Sequence, residues 1–262
     1  MLKQVQHDIV GANLTFPTTY LDETQMKTYS FHPESIRNLF NNIAPTYDLL
    51  NRLLSLGRDL YWRKMAVREF KGYKGWMLDI ATGTGDVMIE IIRQEDHERN
   101  VFGLDFSEPM IRRAREKLST KGLSRKGGLG LGDALSLPFR ENTFSGSMIA
   151  FGLRNVVEKE QALSEMVRVV KPGGKVVILE FTFPQKGLMR RLYPVYFKRI
   201  LPRVGGLISG DRNAYAYLPE SVLHFRYAEE YEGLMRKSGL ANVLSRQLTG
   251  GVASIISGMK KD

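Results

Sequence analysis

Four short apolar runs mark the chain, at residues 76–80, 101–105, 143–151 and 175–181. Aliphatic and β-branched residues fill both faces of each run instead of alternating, the pattern of strands covered on both sides of a sheet. Residues 86–94, 108–119 and 159–170 separate them and carry helical spacing; the last places Ala162, Leu163, Met166, Val167 and Val170 on one face. Strand–helix alternation predicts parallel pairing in a layered α/β fold. A weaker strand is expected at 128–132, just before Asp133. The pattern then changes. Residues 240–248 and 252–259 alternate around Gly250-Gly251, which predicts an antiparallel hairpin.

Two regions stand outside this alternation. In 36–70 the residues Ile36, Leu39, Phe40, Ile43, Tyr47 and Leu50 recur at helical spacing. Residues 184–228 contain Pro184, Pro194, Pro202 and Pro219 and exceed an ordinary connection, so they read as a lid or binding surface. Residues 1–30 show no persistent period and are expected to be a poorly ordered extension to a single domain over 31–262.

Composition narrows the classes. Hydrophobic residues at 43% and charged residues at 25% are those of an ordinary globular chain of 262 residues. The chain has no cysteine, which excludes disulfides, thiolate metal sites and a cysteine nucleophile. No apolar run approaches the ~18 residues of a membrane span, and a cytoplasmic location is expected. A formal charge of +10 favours nucleic acid, an anionic membrane face or an acidic ligand as partner.

The run Met77-Leu78-Asp79-Ile80-Ala81-Thr82-Gly83-Thr84-Gly85-Asp86 is a strand, a small-residue turn and a helix start. Ala81, Gly83 and Gly85 let a ligand approach the backbone. Asp105 closes the second strand twenty residues after Gly85, where an acid can accept hydrogen bonds from both hydroxyls of an adenosine ribose. In the dinucleotide pattern a third small residue and a pyrophosphate at the helix start are needed, but here Met88 and Asp86 hold those places. No Gly-Lys-Ser/Thr follows the glycines, so a P-loop is absent too. Asp86 would repel a diphosphate and tolerate a sulfonium with an ammonium group. S-adenosylmethionine fits better than NAD or ATP.

The stretches LDIATGTGD, GLDFSEPMI, GDALSLPF, IAFGLRNV, KPGGKVVILEF and LPRVGGLISGDRNAYAYLPES, with IAPTYDLLNRLLSLG and Tyr61-Trp62-Arg63 upstream, resemble the ubiquinone/menaquinone biosynthesis C-methyltransferases. The likeness runs from about Ile36 to Met259. It implies a Rossmann-like class I methyltransferase fold, a mostly parallel seven-stranded sheet with an antiparallel C-terminal hairpin and helical N-terminal and lid additions. It further implies methyl transfer from S-adenosyl-L-methionine to the ring of a polyprenylated quinol, in menaquinone biosynthesis (demethylmenaquinol to menaquinol) or ubiquinone biosynthesis. By resemblance the cofactor contacts fall on Thr84, Asp105 and the pair Asp133-Ala134, beside Asp79, Ala81, Gly83, Gly85 and Phe106, with Tyr47 and Asp48 closing over the pocket. The family often has a serine where this chain has Ala150, which removes one hydroxyl.

The same resemblance makes Arg154 and Asn155 the substrate-facing, catalytic pair. They follow the fourth strand, where open α/β sheets present groups to ligands. Arg154 would stabilise a developing phenolate and Asn155 would orient the hydroxyl or a water. The alternative is structural: Arg154 pairs with an acid such as Glu158, and Asn155 caps the next helix. No metal is expected, since His7, His32, His97 and His224 lack ligand spacing. An RNA-modifying methyltransferase is the competing function; the absence of cysteine and the FGLRN stretch, where amine-methylating enzymes commonly carry Asn/Asp-Pro-Pro-aromatic, count against it. A non-catalytic cofactor-binding protein is a third reading. Between Lys186 and Arg203 six basic residues alternate with apolar ones, and no acid is present. Leu188, Leu192, Val195 and Tyr196 share a helical face that Pro194 should interrupt. Such a segment suits the surface of an anionic bilayer at the inner face of the membrane, or packs as an ordinary lid. A homo-oligomer is the remaining partner expectation, and nucleic acid is not expected.

Overall fold

A computed structural model describes residues 33–94, 99–196 and 227–261, all within the unit spanning 31–262. The expected N-terminal extension and the part of the lid at 197–226 lie outside these residues. The sheet has seven strands in the order β3-β2-β1-β4-β5-β7-β6. Its parallel part comprises β1 (Gly75–Ile80), β2 (Arg99–Asp105), β3 (Gly127–Leu131), β4 (Phe144–Ala150) and β5 (Val170–Phe181). The hairpin of β6 (Leu240–Leu248) and β7 (Ala253–Lys260) completes it, with β7 antiparallel to both β5 and β6.

The apolar runs explain the centre. Met77, Leu78, Val101, Met148, Val176, Val177, Ile178 and Leu179 are all buried, with neighbours of the same strand facing opposite sides. One layer packs α3 (Arg58–Val67) and α4 (Asp86–Arg93) on the sheet through Trp62, Ala66, Met88 and Ile92. The other packs α6 (Lys159–Val169) and α8 (Ala228–Lys237) through Leu163, Met166, Tyr231 and Met235. Helices α1 (Pro33–Ile43) and α2 (Tyr47–Leu54) precede them in sequence, α5 (Glu108–Thr120) lies between α4 and α6, and α7 (Met189–Val195) lies between α6 and α8.

Three local differences from the sequence expectation have physical causes. Strand β5 begins at Val170, not Lys175, because Val170 pairs with Phe144 before the Pro172-Gly173-Gly174 irregularity shifts the register. The weak strand forms as β3 because its glycines let the chain lie against β2: a Cβ on Gly128 would come within 2.6 Å of the Phe102 ring. Helix α7 runs through Pro194 to Val195, so the proline does not interrupt it there, and of the expected shared face Tyr196 docks while Leu188 and Leu192 do not. Tyr193 is buried and Tyr196 half-buried, while Leu188 and Leu192 are exposed.

Candidate active site

The strand order reverses between β1 and β4, and ligands of open parallel sheets bind beyond the carboxyl ends at such a point. Backbone strain collects there. Ala81, just after β1, has φ +52°, and Phe151, just after β4, has φ +57°. Non-glycine residues in this region are uncommon and persist where surrounding structure holds them. Gly152 lies so close that a Cβ on it would stand 2.8 Å from the Ala81 Cβ. The two strand ends therefore form one tight cradle.

Around the glycine turn the buried carboxylates are organised by backbone N–H groups. Gly83 N donates to Asp105 Oδ2 at 2.8 Å and Ser107 N to Asp105 Oδ1 at 2.9 Å. The carboxylate keeps lone-pair capacity for a ligand beyond these backbone donors. Burial pushes the Asp105 carboxyl up to about 6, against the pull of the N–H groups of Ser107, Gly83 and Phe106. Asp79 lies fully buried beneath the turn, with Thr82 Oγ1 donating to its Oδ2 at 2.5 Å. Burial raises its carboxyl to about 7; the Asp105 charge adds to that rise, and Thr82, Arg63 and the Met88 N–H oppose it.

The remaining expected contacts fall on the same edge. Asp133 follows β3, next to the end of β2, and is exposed; its Oδ1 accepts from Leu135 N at 2.9 Å, and Ala134 is half-buried beside it. Tyr47 opens α2 and reaches the turn, its Cε1 being 3.7 Å from where a Gly83 Cβ would sit. Phe40 stacks edge-on against both Tyr47 and Phe106, with centroids 6.2 Å apart in each pair. Thr84 is buried, and its hydroxyl donates to Asp48 at 2.6 Å and accepts from Lys117 at 2.9 Å.

That hydroxyl belongs to a polar network which sequence reasoning missed. Lys117 of α5 bridges Asp48 of α2 at 2.6 Å and Asp86 of α4 at 2.7 Å. Arg52 of α2 joins Asp86 to Asp59 of α3, and Arg63 pairs with the same Asp59. Three cations and three carboxylates thus tie α2, α3, α4 and α5 around the turn. Burial would raise Asp86, but Arg63, Lys117 and Arg52 outweigh it and hold its carboxyl at about 2. The expectation that Asp86 acts on a ligand as a free negative charge at the helix start is therefore corrected: Lys117 and Arg52 already neutralise it.

Arg154 and Asn155 lie in a short 3-10 turn after β4. Arg154 is buried, and its Nη1 donates to Glu180 Oε1 at 2.7 Å and to the Phe151 carbonyl. Glu180 Oε2 also accepts from Arg154 N at 3.1 Å. The acid beside Arg154 is thus Glu180, at the end of β5, and not Glu158. Asn155 does not cap α6 either, since Glu158 holds the N-cap position. No spacing rule links residues 154 and 180; only the β4–β5 pairing does. Tyr193 of α7 and Tyr231 of α8 face this pair, and burial drives both hydroxyls well above the ordinary phenol range.

The donor set fits an adenosyl sulfonium. Asp79, Asp105 and Asp133 sit at or just past the ends of three neighbouring strands and supply acceptors, while the cations around the turn, Lys117, Arg52 and Arg63, are already paired with carboxylates.

Comparison with known proteins agrees. The profile of the ubiE/COQ5 methyltransferase family matches residues 26–260. The ubiquinone/menaquinone biosynthesis C-methyltransferase UbiE of Geobacter sulfurreducens is 46% identical over 228 residues, covering 87% of this chain and 89% of that one. The demethylmenaquinone methyltransferase of Thermus thermophilus is 46% identical over 218 residues, covering 83% and 97%. Among solved structures, a possible histamine N-methyltransferase from Thermotoga maritima superposes with TM-score 0.60 at 20% identity, covering 85% of this chain and 100% of its own. Phosphoethanolamine N-methyltransferase 2 of Haemonchus contortus, solved with S-adenosyl-L-methionine, gives TM-score 0.56 at 16% identity, covering 76% and 52%. The structures share the fold, and the sequences settle the relationship: this chain belongs to the ubiE/COQ5 methyltransferase family.

Proposed function

We propose that this protein is an S-adenosyl-L-methionine-dependent C-methyltransferase acting on the ring of a polyprenylated quinol, demethylmenaquinol or the benzoquinol precursor of ubiquinone. Family membership over nearly the whole chain is the observation that carries the activity. The site supports it. Asp105 would hold the ribose hydroxyls, Asp133-Ala134 would border the adenine, and Tyr47 with Phe40 and Phe106 would wall the pocket. Asp79 and Thr84, both buried, would support the turn from below. When bound, the cofactor supplies a methyl group on a sulfonium, an electrophile with its leaving group in place.

The protein's own task is alignment and handling of a phenolic proton. A quinol carbon becomes nucleophilic when the neighbouring hydroxyl loses its proton and negative charge spreads into the ring. Arg154 would stabilise that charge, and Asn155 would orient the hydroxyl or a water that accepts the proton. The ring carbon would then gain the methyl group and lose its hydrogen as a proton while the oxygen takes one back, so that the ring returns to a quinol and one proton is released overall. Glu180 holds the Arg154 guanidinium in place for this. No described helix is long and apolar enough to cross a membrane. We place the enzyme in the cytoplasm and peripherally at the inner face of the membrane, because its substrate class dissolves in lipid and Lys186, with Arg190 and Arg191 of α7, is exposed.

Methyl transfer from radiolabelled cofactor into a bacterial lipid extract, compared with total RNA, tests this reading. Label in the quinol fraction alone supports it; label in RNA replaces it with the competing function.

A further inference from the structure

The elbow between α2 and α3 presents a leucine whose side chain is left exposed among the described residues. Leu56 is 85% exposed and stands at φ +52°, followed by Gly57 at φ +73°. A bulky residue adopts left-handed backbone only at a cost, and asparagine or glycine would make the same turn with less strain. The turn closes the end of α2, with Gly57 N donating to the Arg52 carbonyl at 2.7 Å and Leu56 N to the Leu53 carbonyl at 3.2 Å, and a leucine at that place with its side chain in the open points to a partner.

The surroundings are of one character. Leu49 and Leu53, one turn apart on α2, and Leu60 at the start of α3 are all exposed. Helix α7 joins them: the Tyr196 hydroxyl donates to the Leu54 carbonyl at 2.5 Å, and Leu188 and Leu192 are exposed. Among residues 49–64 the sole acid is Asp59, which is buried and paired with Arg52 and Arg63, whereas Arg58 and Lys64 are exposed. Residues 184–196 contain no acid at all, and Lys186, Arg190 and Arg191 are exposed. Apolar side chains ringed by unopposed cations match an anionic lipid surface. A second copy of this chain would bring the same cations and no exposed acid from these segments to meet them.

We propose that the α2–α3 elbow, with α7 beside it, is a membrane-docking surface in which Leu53, Leu56 and Leu60 enter an anionic bilayer and the adjoining cations lie against lipid phosphates. The proposal rests on the quinol reading only for its purpose. Tyr47, at the opposite end of α2, touches the glycine turn, so the eight-residue helix spans about 12 Å between bilayer and site. A prenyl tail left in the lipid would bridge that depth while the ring reaches the site.

The absence of cysteine provides a direct probe. Leu56→Cys carries a single environment-sensitive NBD label, and Leu244→Cys, 70% exposed on β6, serves as control. On phosphatidylglycerol vesicles the label at 56 shifts to the blue and escapes iodide quenching, the label at 244 does neither, and phosphatidylcholine vesicles give no response. The pair Leu53→Asp and Leu56→Asp lowers vesicle partitioning about tenfold or more. It also slows methylation of a long-tailed quinol in vesicles while a short-tailed, water-soluble quinol reacts as before. A label at 56 that stays quenchable overturns the proposal, as does a double variant that turns a dimer into a monomer in sedimentation while binding vesicles normally. If the wild-type protein methylates neither quinol, the substrate reading fails, and the label readout still decides docking.

Discussion

Arg154 Nη1 lies 2.7 Å from Glu180 Oε1, both groups are buried, and the same carboxylate accepts the Arg154 backbone N–H. This pairing fixes the guanidinium at the end of β4 in one orientation. Breaking one side of a buried pair costs about 3–5 kcal/mol, whereas replacing both partners is often near neutral. Glu180→Gln should therefore lower both stability and kcat, with cofactor affinity little changed. Adding Arg154→Met should restore much of the stability and none of the turnover. Thermal melts alongside kcat check this; wild-type turnover in the double variant would reduce the pair to a structural role.

Asp105 is the residue on which cofactor affinity should depend most. A hydrogen bond to a charged acceptor contributes roughly 1.5–3 kcal/mol, so Asp105→Ala should weaken S-adenosylmethionine binding at least ~tenfold. Calorimetry on the folded variant decides it, and an unchanged affinity would remove Asp105 from the ribose.

The raised carboxyls predict a pH dependence in two parts. Asp105 and Asp79 sit at about 6 and about 7 in the folded protein against 3.8 unfolded, so the folded state holds extra protons in that interval. Their contribution to stability is full below 3.8 and is lost as pH rises through about 6 and about 7. A cationic cofactor prefers the ionised carboxylates, so its affinity should climb over the same range and its binding should release protons. Titration calorimetry in buffers of different ionisation enthalpy measures that release; proton uptake would contradict the assignment.

Asp86 behaves in the opposite sense. Held at about 2, it contributes stability above 3.8 that is lost as pH falls towards about 2. Lys117→Met should reduce this acid-dependent loss, weaken the protein by about 1.5–3 kcal/mol near neutrality and loosen α2 over the glycine turn. Urea unfolding at neutral and acid pH, with cofactor titrations, reads all three; wild-type values throughout would leave the network without consequence.

How far the sequence revealed this molecule depended on the range of each interaction. Strands β1, β2 and β4 were legible within a residue or two because their burial on both faces writes itself as unbroken apolar runs. The hairpin was legible from alternation around Gly250-Gly251. Helix α8 went unread although Ala228, Tyr231 and Met235 mark its buried face, because the proline-rich lid ahead of it obscured the change of period. At the site, the glycine turn and Asp105 were visible because chain geometry places them locally. The partnership of Arg154 with Glu180, and the ties from Lys117 to Asp48 and Asp86, were not. Each joins residues far apart in sequence, and only the register of the sheet and the packing of helices bring them together.

The central claim is that the ring carbon of a reduced quinol receives the methyl group. Purified protein should be given cofactor carrying an isotopically labelled methyl group, together with demethylmenaquinol or its oxidised quinone, and the products read by mass spectrometry and carbon NMR. The account predicts a labelled methyl on ring carbon from the quinol, little from the quinone, which has no hydroxyl to ionise, and loss of turnover in Arg154→Ala with cofactor binding retained. Label on oxygen, equal reaction of quinol and quinone, or transfer to RNA in place of either would contradict it.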